Sequence, residues 1–347
     1  MLINRRHALT GSLALAAAAP ALADIPRFEA APALIDAAKK DGGLVIYTAQ
    51  IEDLELETIA AFNKRFPFVK VEIMHLPGGQ LIERIKAEIA ANKLVADIID
   101  HSEPSLLVAI ESAFRPYAPP NAADYIAEAV ASPRIWPRLT AGTCICWNSE
   151  IVKDRPSSWW DIAGPRYAGQ VGMPSGYTGG STWVWVMFER KVLGEEYWVK
   201  QAAIKPRIYP TNAVTADALV RGEIGIAPVS FPSMFPKKRD GAPLDYVFPK
   251  EGVPSFTFAA GIPVTAKRPA AAQLYLDWCL SAEGQGMLIR DLGHLTALKV
   301  PPVATPGLDP AVQKIWFPDR AESDRVRNAW LAEWSKTFGL RQYGAGR

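Results

Sequence analysis

From Gly43 onward the chain alternates short apolar runs with amphipathic segments, a pattern that predicts α/β units with largely parallel strands. Residues 44–49 (Leu-Val-Ile-Tyr-Thr-Ala) read as a first strand. Leu56, Ile59, Phe62 and Phe66 then recur at spacings of three or four, which predicts a helix that Pro67 closes. Val69, Val71 and Ile73 alternate as a second strand, and Pro77-Gly78-Gly79 turns the chain into a helix bearing Leu81, Ile82, Ile85 and Ile89. Residues 96–100 make a third strand. Pro104 follows where a first helical residue belongs, ahead of the apolar stripe Leu106, Leu107 and Ile110.

Pro116, Pro119, Pro120, Pro133 and Pro137 break up residues 115–138, which read as a connection between two lobes. Residues 143–147 are strand-like again, and 156–165, with Trp159 and Trp160, form a packed loop or short helix. A second alternating series follows: strand 170–173, helix 182–192, strand 207–209, helix 214–220 and strand 224–229. Residues 256–264 are extended, but Gly261 and Pro263 interrupt them, marking a bend where the chain returns to the first lobe. Residues 270–289 read as one helix, and the aromatic tail at 310–339 as helix expected to pack along the first lobe. The fold class is therefore α/β, with two doubly wound α/β lobes joined by extended hinge crossings. Lobe 1 is discontinuous (24–138 and 262–347), and lobe 2 spans 139–261. A length of 347 residues suits two domains at roughly 150 residues each.

Residues 1–23 read as an export signal: Arg5-Arg6 near the start, an apolar run at 13–19 and Ala21-Leu22-Ala23 as a small-residue cleavage site. The run is too short to span a bilayer, and both ordinary secretion and the twin-arginine route fit the charged start. The signal holds two arginines and no acid, so residues 24–347 carry 36 bases against 36 acids. That balance, with no long basic block, argues against a nucleic-acid partner. Export makes the three cysteines worth reading. Cys144 and Cys146 share one face of a strand, a poor geometry for bonding each other; buried free thiols, or a bridge from Cys279 to either, remain.

Familiar catalytic motifs are missing: no G-x-S-x-G, H-E-x-x-H, G-x-x-x-x-G-K-[ST] or C-x-x-C occurs. His75 and His101 fall at predicted strand ends, where a base, a metal ligand or a hydrogen-bonded rim histidine could sit. The turn Pro174-Ser175-Gly176-Tyr177-Thr178-Gly179-Gly180-Ser181-Thr182 leaves a strand and opens a helix. Its glycines admit a ligand to the backbone, its hydroxyls cap and donate, and the first helical amides are free donors, which suits an anion; a plain capped turn reads equally well. Small polar residues recur at the other carboxyl ends: Tyr47, Thr48 and Gln50, then Ser102 and Glu103, Thr211 and Asn212, and Ser230. Open α/β sheets bind ligands beyond those ends, so facing lobes would gather these groups around one cleft. Glu103 could instead simply favour the start of the helix at Pro104.

In this order the features resemble the extracellular solute-binding subunits of ATP-driven importers, in the group of ferric-iron binders and their organophosphate-binding relatives. The matching pieces are LVIYTA at 44–49, VADIID at 95–100, SGYTGGST at 175–182, RGEIGIAP at 221–228, AAGIPVTAKRPAAA at 259–272 and YLDWCLSAEGQ at 275–285. The resemblance implies a type II periplasmic binding protein, a monomer that closes two lobes on its ligand. It would hand that ligand to a membrane permease with its ATPase, with no chemical turnover and no cofactor. Iron binders of this group hold the metal with adjacent tyrosines shortly after the RGEI-type phrase. Here that stretch is Val229-Ser230-Phe231-Pro232-Ser233-Met234-Phe235-Pro236, and phenylalanine offers no oxygen to a hard cation.

A small organic anion, a carboxylate or a phosphate or phosphonate, is thus the expected ligand, with Tyr47, Tyr177 and Trp183 as an apolar wall. The expected ligand-binding residues are Tyr47, Thr48, Gln50, Ser102, Glu103, Ser175, Gly176, Tyr177, Thr178, Gly180, Ser181, Thr182, Asn212 and Ser230. Ferric-iron uptake, an exported α/β enzyme using Glu103, His101 and Ser175, and a ligand sensor feeding a receptor are the alternatives.

Overall fold

The computed structural model describes residues 25–340, so the expected export signal at 1–23 lies outside the described residues. In chain order the elements are α1 (Pro32–Asp41), β1 (Gly43–Thr48), α2 (Glu52–Arg65), β2 (Lys70–His75), α3 (Gly78–Ala90), β3 (Ile98–His101), α4 (Pro104–Val108) and β4 (Trp136–Asn148). They continue as β5 (Gly172–Pro174), α5 (Gly180–Phe188), α6 (Glu195–Ala203), β6 (Arg207–Tyr209), α7 (Asn212–Val220), β7 (Ile226–Ser230), α8 (Phe231–Arg239) and β8 (Leu244–Val247). The last are β9 (Val253–Gly261), α9 (Pro269–Leu280), α10 (Ala282–Leu292), β10 (Ile315–Trp316) and α11 (Arg320–Thr337).

These elements build two α/β lobes. In the first, β1 lies between β2 and β3, all parallel, and β3 pairs antiparallel with the end of β9. Both faces are covered, as the period of two requires: Leu44 and Ile46 point to a core with Phe62, Tyr275 and Trp278, while Tyr47 points to the other face with Leu81, Ile85 and Ile99. In the second lobe the end of β4 pairs with β7 and β8, and a parallel bridge from Val171 to Ile226 brings the short β5–β6 pair alongside. The apolar faces again separate, with Ile145 and Trp147 among tryptophans on one side and Cys144 and Cys146 on the other.

Two long antiparallel strands join the lobes. β4 pairs with β9 from Trp136 to Gly142 and then diverges to pair with β7 from Thr143 onward. β4 is longer than the sequence pattern indicates, at 13 residues, and β9, at nine, starts three residues earlier. β4 starts inside the proline-rich stretch because the register shifts between Pro137 and Leu139, so the proline's missing N–H costs no ladder bond there. β9 begins at Val253 and makes its crossing within the strand, whereas Gly261 and Pro263 only end it.

Two further expectations need correction, and two elements lie where the sequence pattern predicts none. The helix read over 270–289 is two, because Ser281 adopts an extended conformation and caps α10 by accepting from Gly284 N at 3.2 Å. Helix α8 and strand β8 were invisible to periodicity, since Pro232 and Pro236 in α8 read as breakers. The tail does not lie along the first lobe: Leu331 and Trp334 of α11 are buried in the tryptophan core of the second, beside Trp183, Trp185 and Trp198. The first half of α11 still touches the first lobe, through Arg320, which donates to the carbonyls of Glu128 and Val130 at 2.7 Å, and through Arg327, which pairs with Glu103.

At the β4 bulge the fully buried Arg138 guanidinium donates to both Glu55 oxygens at 3.0 and 2.7 Å and to Asp100 Oδ2 at 2.7 Å. Thr48 donates to Asp100 at 2.6 Å and Tyr275 to Glu55 at 2.8 Å. Burial works against the charge on Arg138, yet Asp100 and Glu55 raise its pKa well above the ordinary arginine value; burial also lifts the Asp100 carboxyl, with Arg138 pulling the other way. Removing the cation would leave two buried carboxylates without compensation. Arg138→Met should therefore cost about 3–5 kcal/mol in chemical denaturation, and Glu55→Gln in that background should recover part of the loss.

All three cysteines are buried and free. Burial raises the Cys146 thiol well above its ordinary range and pushes Cys279 up to about 12. The native protein should therefore be silent to a thiol reagent and release three equivalents on denaturation; a disulfide found by mass spectrometry would contradict this.

Candidate functional site: a cleft between the lobes

Beyond the carboxyl ends of β1, β2, β3, β5, β6 and β7 lies a cleft of about 250 Å³. Its walls come from the segments that follow those strands: residues 49–52; His75, Pro77 and Gly78; Ser102; Thr178, Gly179, Ser181 and Thr182; residues 211–213; and Ser230, Pro232 and Ser233. Ala141 of β4, Phe256 and Phe258 of β9, and His294 form its floor, so the ligand space rests directly on the strands that join the lobes. This is the crevice that the strand-end rule anticipates for parallel sheets.

Five helices begin at this cleft. Ile51, Pro77, Gly179, Thr211 and Ser230, the residues that precede α2, α3, α5, α7 and α8, all line it. Each start carries unpaired backbone N–H groups and the positive end of a helix dipole. Among the described residues the lining holds no lysine or arginine, and Glu52 is its single carboxylate.

The lobe 2 wall is a hydrogen-bonded chain. Asn212 donates through Nδ2 to Ser181 Oγ at 3.1 Å and accepts through Oδ1 from Ser230 N at 2.9 Å, while the hydroxyls of Ser230 and Ser233 share a bond at 3.0 Å. Thr211 Oγ1 accepts from Val214 N, as an N-cap does. The Ser181 and Thr211 hydroxyls therefore act as acceptors towards the protein and keep their own hydrogens for the cleft. Thr178 and Thr182 differ: their hydroxyls donate to the carbonyls of Pro210 and Gly179.

On the lobe 1 side, Gln50 N donates to Thr48 Oγ1 at 3.0 Å, and Gln50 Oε1 accepts from Ile51 N at 2.9 Å. His294 is delivered to the floor by Gly293, whose φ of +72° ends α10 and whose missing side chain leaves room for Phe235. Burial lowers the His294 pKa to about 4, with Arg138 acting in the same direction, so the ring is neutral.

Of the residues expected to bind ligand, Gln50, Ser102, Thr178, Ser181, Thr182, Asn212 and Ser230 meet around the cleft. The rest are placed elsewhere for identifiable reasons. Tyr47 precedes the strand end by one residue and so faces α3, where its hydroxyl donates to Glu88 at 3.0 Å. Thr48 lies one shell below, bonded to Asp100. Glu103 is taken by Arg327 of α11 in an ion pair. Ser175 and Gly176 sit in the turn at the rear, with Gly176 against Val186 and Leu331, and the Tyr177 hydroxyl donates to Leu331 O at 2.9 Å. Gly180 faces the seam between the lobes, so close to Ser102 that a Cβ would lie 2.1 Å from its carbonyl oxygen.

The apolar wall is correspondingly Phe256, Phe258, Leu54, Pro77 and Pro232 rather than Tyr47, Tyr177 and Trp183; Trp183 instead donates to Ser323 at 2.7 Å beneath α11. His101 is also spoken for, since Nε2 donates to Gly78 O and Nδ1 accepts from Glu103 N, both at 2.9 Å. Ser233, Phe256, Phe258 and His294 were missed. The first three lie in stretches that periodicity reads as breaker-rich or as core, while for His294 the preceding Gly-His at a helix end was the available signal.

A family model described as bacterial extracellular solute-binding protein matches residues 48–286, more than half of the chain. An uncharacterized protein from Haemophilus influenzae is 28% identical over 138 residues, 39% of this chain; the match spans 40% of that relative's length. Among solved structures, the periplasmic binding protein AfuA from Actinobacillus pleuropneumoniae, with fructose-6-phosphate bound, is 20% identical with a TM-score of 0.70, covering 86% of this chain and 99% of its own. Iron-bound HitA from Pseudomonas aeruginosa is 22% identical with a TM-score of 0.62, covering 86% and 97%. At these identities the two structures speak for the fold alone. The family match carries more: the chain belongs to the bacterial extracellular solute-binding proteins, a non-enzymatic family that works outside the cytoplasm.

Proposed function

We propose that this protein captures a small organic anion, a carboxylate or a phosphate or phosphonate ester, between its lobes and delivers it to a membrane permease driven by an ATPase. One observation carries the reading: five helix starts from both lobes converge on a cleft whose lining, among the described residues, has no basic side chain. Oriented backbone dipoles and unpaired amides can hold an oxyanion without a lysine or arginine. The spare hydrogens of Ser181 and Thr211, with the Ser102 hydroxyl and the Gln50 amide, add donors around the same space. Phe256 and Phe258 would face the organic part.

Gln50, Ser102, Thr178, Ser181, Thr182, Asn212 and Ser230 are the proposed ligand contacts, and Thr48, Glu103, Ser175, Gly176, Tyr177 and Gly180 support them from behind. Closure would turn on β4 and β9, with lobe limits near residues 138/139 and 261/262 and α11 riding on the second lobe. Contacts made to both lobes then favour the closed form, which is what a permease would read.

A second reading, ferric iron, draws on Glu52 and His75, which both line the cleft, and on the iron-bound likeness. Among the described residues no group of three or more His, Cys, Asp or Glu could hold a metal ion, and no tyrosine lines the cleft. Iron would therefore enter as an anionic chelate, bound by the same donors. A thermal-shift screen of the mature protein against inorganic phosphate, fructose 6-phosphate, citrate, ferric chloride and ferric citrate separates the two. A true ligand at 100 times its Kd should stabilise by about 2.7 kcal/mol. Stabilisation by ferric chloride alone would overturn the anion reading.

The seam at Gly180 gives a second test. Because a Cβ there would meet Ser102 O at 2.1 Å and Glu103 Cγ at 2.8 Å, Gly180→Ala should hold the lobes apart. Small-angle scattering should report a larger radius of gyration, and affinity for the bound anion should fall at least about tenfold with the melting temperature of the unliganded protein little changed.

A further inference from the structure

His294 takes no part in any contact described so far except through its burial on the cleft floor, and its hydrogen bonds fix the chemistry of a neighbour. Its Nδ1 stands 3.1 Å from Thr140 O. A carbonyl can only accept, so Nδ1 carries the hydrogen, and in the neutral ring Nε2 must then be an acceptor. That Nε2 lies 3.3 Å from Gln50 Nε2, which therefore donates to it. The other end of the carboxamide is held as firmly, since Gln50 Oε1 accepts from Ile51 N at 2.9 Å. Flipping the amide would set an oxygen against the Nε2 lone pair and an NH2 against the Ile51 N–H, losing both bonds at once.

The carboxamide thus has one orientation, and among the described residues no protein acceptor takes the second hydrogen on Gln50 Nε2. We propose that His294 is a positioning residue that presents Gln50 to the cleft as an obligate donor, so that the site selects a ligand with an oxygen acceptor at that point and rejects one whose only group there is a donor without a free lone pair, such as an ammonium. The neighbouring charge is Arg138 on β4, with its partners Glu55 on α2 and Asp100 on β3. This inference rests on the anion reading of the cleft and specifies which atom of lobe 1 would enforce it.

The positioning half can be tested without ligand. Long-range proton–nitrogen correlation spectra of the full mature protein at pH 7, with the His294 signals assigned by their loss in His294→Gln, should show a neutral ring protonated on Nδ1. A ring protonated on Nε2, or a cationic one, would overturn the proposal. For the selectivity half, calorimetry with inorganic phosphate should show about tenfold or greater weakening in Gln50→Met, Gln50→Glu and His294→Phe. His294→Gln retains a side-chain acceptor for Gln50 and should stay within about threefold of the parent, with melting curves run on every variant. Equal losses in His294→Phe and His294→Gln, or parent-like binding by Gln50→Met, would sink it. A parent protein that ignores phosphate, fructose 6-phosphate and citrate alike would remove the anion reading and the selectivity claim together, while the tautomer still decides the orientation of Gln50.

Discussion

Everything in this molecule leans on one antiparallel pair of strands. β4 and β9 are the middle of a sheet that continues into both lobes, so they are at once the core of each and the joint between them. A joint made of sheet rather than loop can twist but cannot slide, because sliding by one residue would turn every buried side chain to the opposite face. The bulge at Arg138 is where that constraint is anchored. Its guanidinium ties β4 to α2 through Glu55 and to the end of β3 through Asp100, so the first lobe grips the strand at the point where it sets out for the second.

The cleft inherits its character from that arrangement. Parallel strands place helix starts on the same side as their own carboxyl ends, and two such lobes meeting face to face pool the unpaired amides of α2, α3, α5, α7 and α8 around a common space. Side chains then refine what the backbone supplies. Asn212 links three elements of lobe 2 into one wall, and Gln50 is held at both ends of its carboxamide in lobe 1. The charge that would attract an anion is therefore distributed over peptide groups, which neither titrate nor swing away.

Much of this was legible in the sequence because alternation and 3.6-residue spacing report burial directly. Leu44 and Ile46, or Leu81, Ile82 and Ile85, could only be strand and helix faces. Glycine- and hydroxyl-rich strand ends marked the cleft, and half of the expected ligand residues do line it. What stayed hidden was orientation. Tyr47 fails by one step of the pleat, Glu103 by a partner more than two hundred residues away, and Tyr177 by a turn whose rear rather than its front is aromatic. His294 was obscure for the same reason, since its role depends on Thr140 and Gln50, neither of which is near it in the chain. The tail misled because its tryptophans announce burial without saying against which lobe.

The state of the three cysteines has a consequence for how the chain reaches maturity. With each cysteine sulfur enclosed as a small apolar group and none bridged, the architecture needs no disulfide oxidase or disulfide isomerase. The polypeptide can acquire its final shape in a reducing or an oxidising compartment alike, so its assembly does not have to wait for the side of the membrane on which it will work.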